Sequence, residues 1–181
     1  VGRLVAEKGV DLYVDVINLI ASSYPDWSFG LIGSFKLGTN NKRTSFSEKT
    51  IQKFNKIGSQ AKFYGFKNNK FVEDKMKTTS IIIIPSIWDE PFGLVVAEAM
   101  SNGIAIIASK VGGIPEILKD NGIMIENINR KKLEKSLKLI LNDETLRLSY
   151  QKKAWKNFNL SSAYSSKKLD TFRKIILNNY Y

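Results

Sequence analysis

Ser80-Ile81-Ile82-Ile83-Ile84-Pro85-Ser86-Ile87-Trp88-Asp89-Glu90-Pro91-Phe92-Gly93-Leu94-Val95-Val96-Ala97-Glu98-Ala99-Met100 is the stretch from which the rest of the chain can be read. Its four isoleucines lie between Ser80 and Pro85, a β-branched run bounded by turn signals. A strand apolar at every position, rather than at alternate ones, is covered on both faces and belongs to a parallel sheet. A loop carrying two acids follows, and the apolar segment Leu94–Asn102 reads as a short helix closed by Gly103. Strand, loop and helix form one unit of a parallel α/β sheet.

The same alternation extends in both directions. Val10, Tyr13, Val14, Ile17, Leu19 and Ile20 recur at helical spacing over 10–23, and Pro25 ends that helix. Trp27–Gly33 predicts a strand, Ser34–Arg43 a polar loop, Ser47–Ile57 a helix, Ala61–Gly65 a strand and Lys70–Thr79 a helix. Beyond the quoted stretch come strands over Ile104–Ser109 and Gly122–Glu126, then helices near 129–142, 144–157 and 162–178. With no hairpin dipeptides between strands, the expected fold class is α/β: a single Rossmann-like, doubly wound parallel sheet with C-terminal helices. Val1-Gly2-Arg3 reads as the tip of a strand whose earlier residues lie upstream, so the natural protein is expected to begin before residue 1.

The 181 residues suit one domain, and 43% hydrophobic with 25% charged residues is globular composition. No segment approaches the length of a membrane span, and no signal-peptide pattern opens the chain. The absence of cysteine rules out disulfide and thiolate chemistry and fits a cytoplasmic location. The absence of histidine removes the commonest general base and metal ligand, and no Asp-x-Asp occurs. Chemistry must therefore rest on carboxylates, Lys, Arg and backbone dipoles, and no metal is expected.

The net charge is +11, with ten Lys and three Arg against four acids in residues 129–181. Lys outnumbers Arg 23 to 5, which reads as a solvated surface rather than as base or phosphate readout, so no nucleic-acid partner is expected. Trp155, Phe158 and Tyr164 among those lysines suggest a weak contact with anionic membrane surface.

Three segments sit where an open α/β sheet gathers its ligands, beyond the carboxyl ends of the strands. In Gly2-Arg3-Leu4-Val5-Ala6-Glu7-Lys8-Gly9, a guanidinium and an ammonium at a strand-to-helix loop suit a diphosphate, though alone they read as surface cations at a turn. In Pro85–Met100 a helix opens near Gly93, where free N–H groups and the helix dipole favour an anion. Glu98 lies in the second turn of that helix, placed to take a vicinal diol, and burial among Val95, Val96 and Met100 would be costly without a partner. Glu90 lies in the loop before the helix, where a sugar on a second phosphate would hang. In Ser109-Lys110-Val111-Gly112-Gly113-Ile114-Pro115-Glu116, the glycine pair lets a backbone or ligand approach, and Glu116 complements the first turn of a helix that Pro115 starts.

Together, Gly-Arg-Leu…Glu-Lys-Gly, Pro-Ser…Glu-Pro-Phe-Gly-Leu…Glu-Ala-Met and Val-Gly-Gly-Ile-Pro-Glu resemble glycosyltransferase family 4, the retaining group 1 transferases of the GT-B fold. The likeness covers nearly the whole chain and centres on the E-x7-E pair Glu90 and Glu98. It implies the C-terminal, donor-binding domain of a longer protein whose N-terminal domain holds the acceptor. It further implies that Arg3 and Lys8 bind the donor's diphosphate and that Glu90 lies against the donor sugar. Glu98 would hold the ribose, the backbone of Phe92, Gly93 and Leu94 would meet sugar and phosphate, and Gly65 and Phe66 would border the base. The donor would be a UDP-, GDP- or ADP-sugar, with no cofactor, and the acceptor a glycan or lipid-linked glycan. A nucleotide-sugar epimerase of the same fold would need His, and a dehydrogenase would need G-x-G-x-x-G, both absent. An inactive nucleotide-binding module remains the non-enzymatic alternative.

Overall fold

The computed structural model describes residues 1–34, 44–160, 166–167, 169–171 and 173–174. Among the described residues five strands alternate with helices: β1 (Phe29–Ile32), β2 (Ala61–Gly65), β3 (Ile81–Ile84), β4 (Ala105–Ser109) and β5 (Ile123–Ile125). The helices are α1 (Val10–Ile20), α2 (Ser45–Asn55), α3 (Asn69–Met76), α4 (Leu94–Ser101), α5 (Ile114–Leu118), α6 (Arg130–Asn142) and α7 (Glu144–Lys156). Every strand pair is parallel, as the isoleucine run implies.

Strand β4 shows how helices come to cover both faces. All five of its residues are buried, and side chains alternate across a strand. Ala105 and Ile107 pack into one apolar cluster with Val14 and Ile17 of α1 and Leu133 and Leu137 of α6. Ile106 and Ala108 pack into another with Val96 and Met100 of α4, Leu118 of α5 and Ala154 of α7. The two clusters on opposite sides of one strand make the fold doubly wound.

The strands hydrogen-bond as a pair, β1-β2, and a triplet, β3-β4-β5, rather than as one continuous sheet. Strands β1 and β3 both line a cavity of about 1040 Å³ between the two groups. Val1-Gly2-Arg3, expected as a strand tip, lies alongside the end of β1. Gly2 N–H donates to the Ile32 carbonyl at 3.0 Å and Leu4 N–H to that of Ser34 at 2.9 Å.

Most element ends follow capping chemistry. Helix α2 begins two residues before the expected Ser47 because Thr44 and Ser47 form a reciprocal capping box. Asn68, Asn129 and Asp143 each accept a backbone N–H at the starts of α3, α6 and α7. The loop expected over Ser34–Arg43 lies, after Ser34, outside the described residues. So do Tyr164 and much of the helix expected over 162–178, including Phe172, Ile175 and Ile176. Its described part is helical, with Thr171 Oγ1 donating to the Lys167 carbonyl, and Leu169 is exposed. Among the described residues, no helix is long and apolar enough to cross a membrane.

Candidate functional site

The site is assembled by the segment that leads into α1. After Val5 the chain makes one 3₁₀ turn, Ala6–Lys8, and leaves it through Gly9 at φ 60°. That left-handed conformation favours glycine. The absent side chain also admits the neighbouring loop: a Cβ on Gly9 would lie 2.0 Å from the carbonyl oxygen of Pro85. The Glu7 carbonyl accepts the N–H groups of Ile87 at 2.9 Å and Trp88 at 3.2 Å. The first loop is thereby stitched to the loop after β3.

This stitching brings Lys8 to Glu90, 82 residues apart in sequence. The Lys8 ammonium donates to Glu90 Oε1, and Ser86 Oγ donates to the same oxygen at 2.7 Å. Ser86 is buried, and the Glu90 side chain is only 13% exposed. Burial pushes the Glu90 carboxyl up, but hydrogen bonds from Lys8 and Ser86, with the charges of Lys8 and Arg3, outweigh it and hold the group below the usual carboxylate range. An ammonium has three donors, so Lys8 keeps two after this bond.

Helix α4 supplies the third wall. Gly93 caps it at φ 83°, and its carbonyl accepts the N–H groups of Val96 and Ala97. The amides of Leu94 and Val95, in the first turn, find no acceptor among the described residues. Free amides at a helix start attract an anion. Arg3, Lys8, Glu90, Phe92, Gly93 and Leu94 all line the cavity between β1 and β3. The side chains of Phe92 and Leu94 are exposed.

Arg3, Phe66 and Glu98 line a second cavity, of about 950 Å³. Arg3 borders both, as do Gly2, Ile32 and Met76, so the two spaces adjoin along this segment. Glu98 corrects one sequence argument: it lies on the exposed side of α4, not among the buried Val96, Ala97, Ala99 and Met100. Its position therefore carries only part of the burial cost expected for it. Partial desolvation raises its carboxyl above the ordinary value. Gly65 lines neither cavity. At φ 68°, with its carbonyl accepting Gly33 N–H, it turns the chain so that the exposed Phe66 reaches the second one.

Two residues of this region escaped sequence reasoning. Ser86 and Asp89 are small polar loop residues with no periodicity to mark them, and only their contacts reveal what they touch. The glycine pair 112–113 behaves as expected in admitting a backbone, which is that of Glu90–Phe92. Glu116 sits in the first turn of α5, as predicted. Of the aromatic residues read as membrane-facing, Trp155 is exposed whereas Phe158 packs against the apolar cluster around α4.

Two cations and a pair of free amides around one cavity can hold a polyanion, and two carboxylates nearby can take hydroxyl groups. Comparison with known proteins agrees with that chemistry. The family model for glycosyl transferases group 1 matches residues 1–157. The chain belongs to this family. An uncharacterized glycosyltransferase of Methanocaldococcus jannaschii is 34% identical over 152 residues, covering 81% of this chain and 38% of that protein. The C-terminal domain of a group 1 family protein from Francisella tularensis superposes with a TM-score of 0.70 at 24% identity, covering 86% of this chain and 80% of that one. The HepE protein of Anabaena, solved in complex with UDP, gives a TM-score of 0.78 at 21% identity over 96% of this chain and 48% of its own. At these identities the structural likeness is one of fold, that of a GT-B C-terminal domain. This group 1 glycosyl transferase chain spans well under half the length of the curated relatives it matches.

Proposed function

We propose that the chain is the donor-binding half of a retaining glycosyltransferase of family 4, moving a sugar from a nucleoside diphosphate to a glycan or lipid-linked acceptor. One observation carries the reading: Arg3, Lys8, Glu90 and the start of α4 line one end of a cavity that runs along β1 and β3, the end beyond the last residues of those strands. Arg3 and Lys8 hold the diphosphate, with the amides of Leu94 and Val95 beside it. Glu90 takes hydroxyls of the donor sugar, Glu98 the ribose and Phe66 the base. The nucleotide thus spans the two cavities that Arg3 borders.

Transfer breaks the bond between the anomeric carbon and the diphosphate oxygen, and the acceptor hydroxyl forms the new bond on the face the leaving group vacates. Negative charge grows on the departing phosphate, so the cations and amides that meet it contribute most of the acceleration. Losing either cation costs on the order of 10²–10³ in rate. The acceptor is held by a further domain, a reading supported by the greater length of the relatives. The working protein is cytoplasmic, and Trp155 with Lys152, Lys153 and Lys156, all exposed on α7, gives it a weak hold on anionic membrane surface.

Calorimetric titration with UDP, GDP and ADP tests the donor half. One of the three binds, and Lys8→Ala weakens that binding at least tenfold; no binding by any overturns the proposal. In the chain joined to its acceptor domain, the product's anomeric configuration, read by nuclear magnetic resonance, matches the donor's. Binding without turnover in that longer protein would leave an inactive nucleotide-binding module.

A further inference from the structure

The loop between β4 and α5 makes two backbone contacts that bracket Glu90. Asp89 Oδ1 accepts the N–H of Gly112 at 3.1 Å. Gly113 N–H donates to the Glu90 main-chain carbonyl at 2.7 Å. Glu90 is therefore gripped through its own backbone and through the side chain of the residue before it. The fit is close on both glycines: a Cβ would lie 2.3 Å from the Glu90 carbonyl oxygen at Gly112 and 2.7 Å from that of Pro91 at Gly113. Asp89 itself makes no ion pair among the described residues and lines neither cavity. Its carboxylate is exposed and engaged with a backbone amide.

We propose that Asp89 is a positioning residue, which through the 110–113 loop holds Glu90 where its carboxylate meets Lys8 and Ser86. The grip is needed because Glu90 sits in a segment with no regular structure, between the end of β3 and the start of α4. In such a segment, side-chain acceptors for backbone amides are what fix the path of the chain. A carboxylate displaced by about 1 Å loses both its ammonium partner and its alignment with a substrate hydroxyl, a change that costs on the order of 10²-fold in rate. The positioning depends on no donor. Only its effect on turnover rests on the reading of Glu90 as the sugar contact.

The test compares Asp89→Ala with Asp89→Asn. Both remove the charge, but the amide oxygen of Asn still accepts from Gly112. The readout is the side-chain carboxyl ¹³C titration of Glu90, assigned by its loss in Glu90→Gln, with amide exchange at Gly112. Glu90 faces the charges of Lys8 and Arg3, and these are common to both variants. Asp89→Asn keeps Glu90 titrating below the ordinary carboxylate range and keeps the Gly112 amide protected. Asp89→Ala titrates Glu90 at higher pH than Asp89→Asn and exposes that amide. Identical titrations in the two variants would overturn the proposal. Gly113→Ala, whose added methyl displaces the Pro91 carbonyl, supplies an independent arm: it raises the Glu90 titration while native circular dichroism is kept, and an unchanged titration counts against the proposal. If no nucleotide binds but Glu90 still follows Asp89, the glycosyltransferase reading fails and the positioning role stands.

Discussion

Replacing Gly9 with alanine is the most direct test of how the site is assembled, because two costs fall on one methyl group. Gly9 has φ 60°, where a side chain costs roughly 1–2 kcal/mol. The methyl would also stand 2.0 Å from the Pro85 carbonyl oxygen, so one backbone must move by more than an ångström. Pro85 is buried, and the Glu7 bonds to Ile87 and Trp88 hold the two loops together, so that movement resembles overpacking a core at about 1–3 kcal/mol. The sum, about 2–5 kcal/mol, corresponds to a melting point lower by roughly 4–20 °C for a chain of this length. Gly58→Ala is the matched control: φ there is 83° and no atom lies within 4 Å, so only the conformational cost remains, about 1–2 kcal/mol and roughly 2–8 °C. Thermal unfolding followed by circular dichroism measures both. If Gly9→Ala melts no lower than Gly58→Ala, the two loops are not locked at this contact.

Lys8→Ala removes a charged donor and is expected to weaken the bound nucleotide by about 1.5–3 kcal/mol, or roughly 10- to 150-fold, by titration calorimetry. Glu90 titrates in the folded chain below its value in the unfolded chain, so its ionised form contributes stability above the ordinary carboxylate range, and that contribution is lost as pH falls through the lower folded value. Urea denaturation should therefore show Glu90→Gln less stable than the native chain at neutral pH, with the gap closing as pH falls below the unfolded value of about 4.3; a gap independent of pH would contradict the assigned contacts. Ile107→Ala opens a void at a fully buried position in the central strand and is expected to cost about 2–5 kcal/mol in the same assay.

What sequence could reveal divides along the line between local and non-local physics. The run Ile81–Ile84 and the buried Ala105–Ser109 carry their environment in their composition, so strand type and parallel pairing were legible. Helix starts shifted only where a hydroxyl or amide, as at Thr44 and Asn68, caps a turn earlier than the apolar spacing begins. At the site, glycines and charges point to Arg3, Lys8 and Glu90, which line one cavity. The expected burial of Glu98 does not hold, because its apolar neighbours in sequence lie at other angular positions: Leu94 and Glu98, four residues apart, share the wet side of α4. Ser86 and Asp89 depend on where a distant loop lands, which no spacing encodes.

Residues 2–9 span the two groups of strands. Gly2 and Leu4 are bonded to the β1 side, and Glu7 to the loop that leaves β3. Arg3 and Lys8 both border the intervening cavity, and the charges of both reach Glu90. An anion clasped by both would act as a rivet on this linking segment, stiffening the bonds it makes to β1 and to the loop that leaves β3. Its affinity would then register as stiffness far from the rivet, in amides of β1 and β3 that touch no ligand.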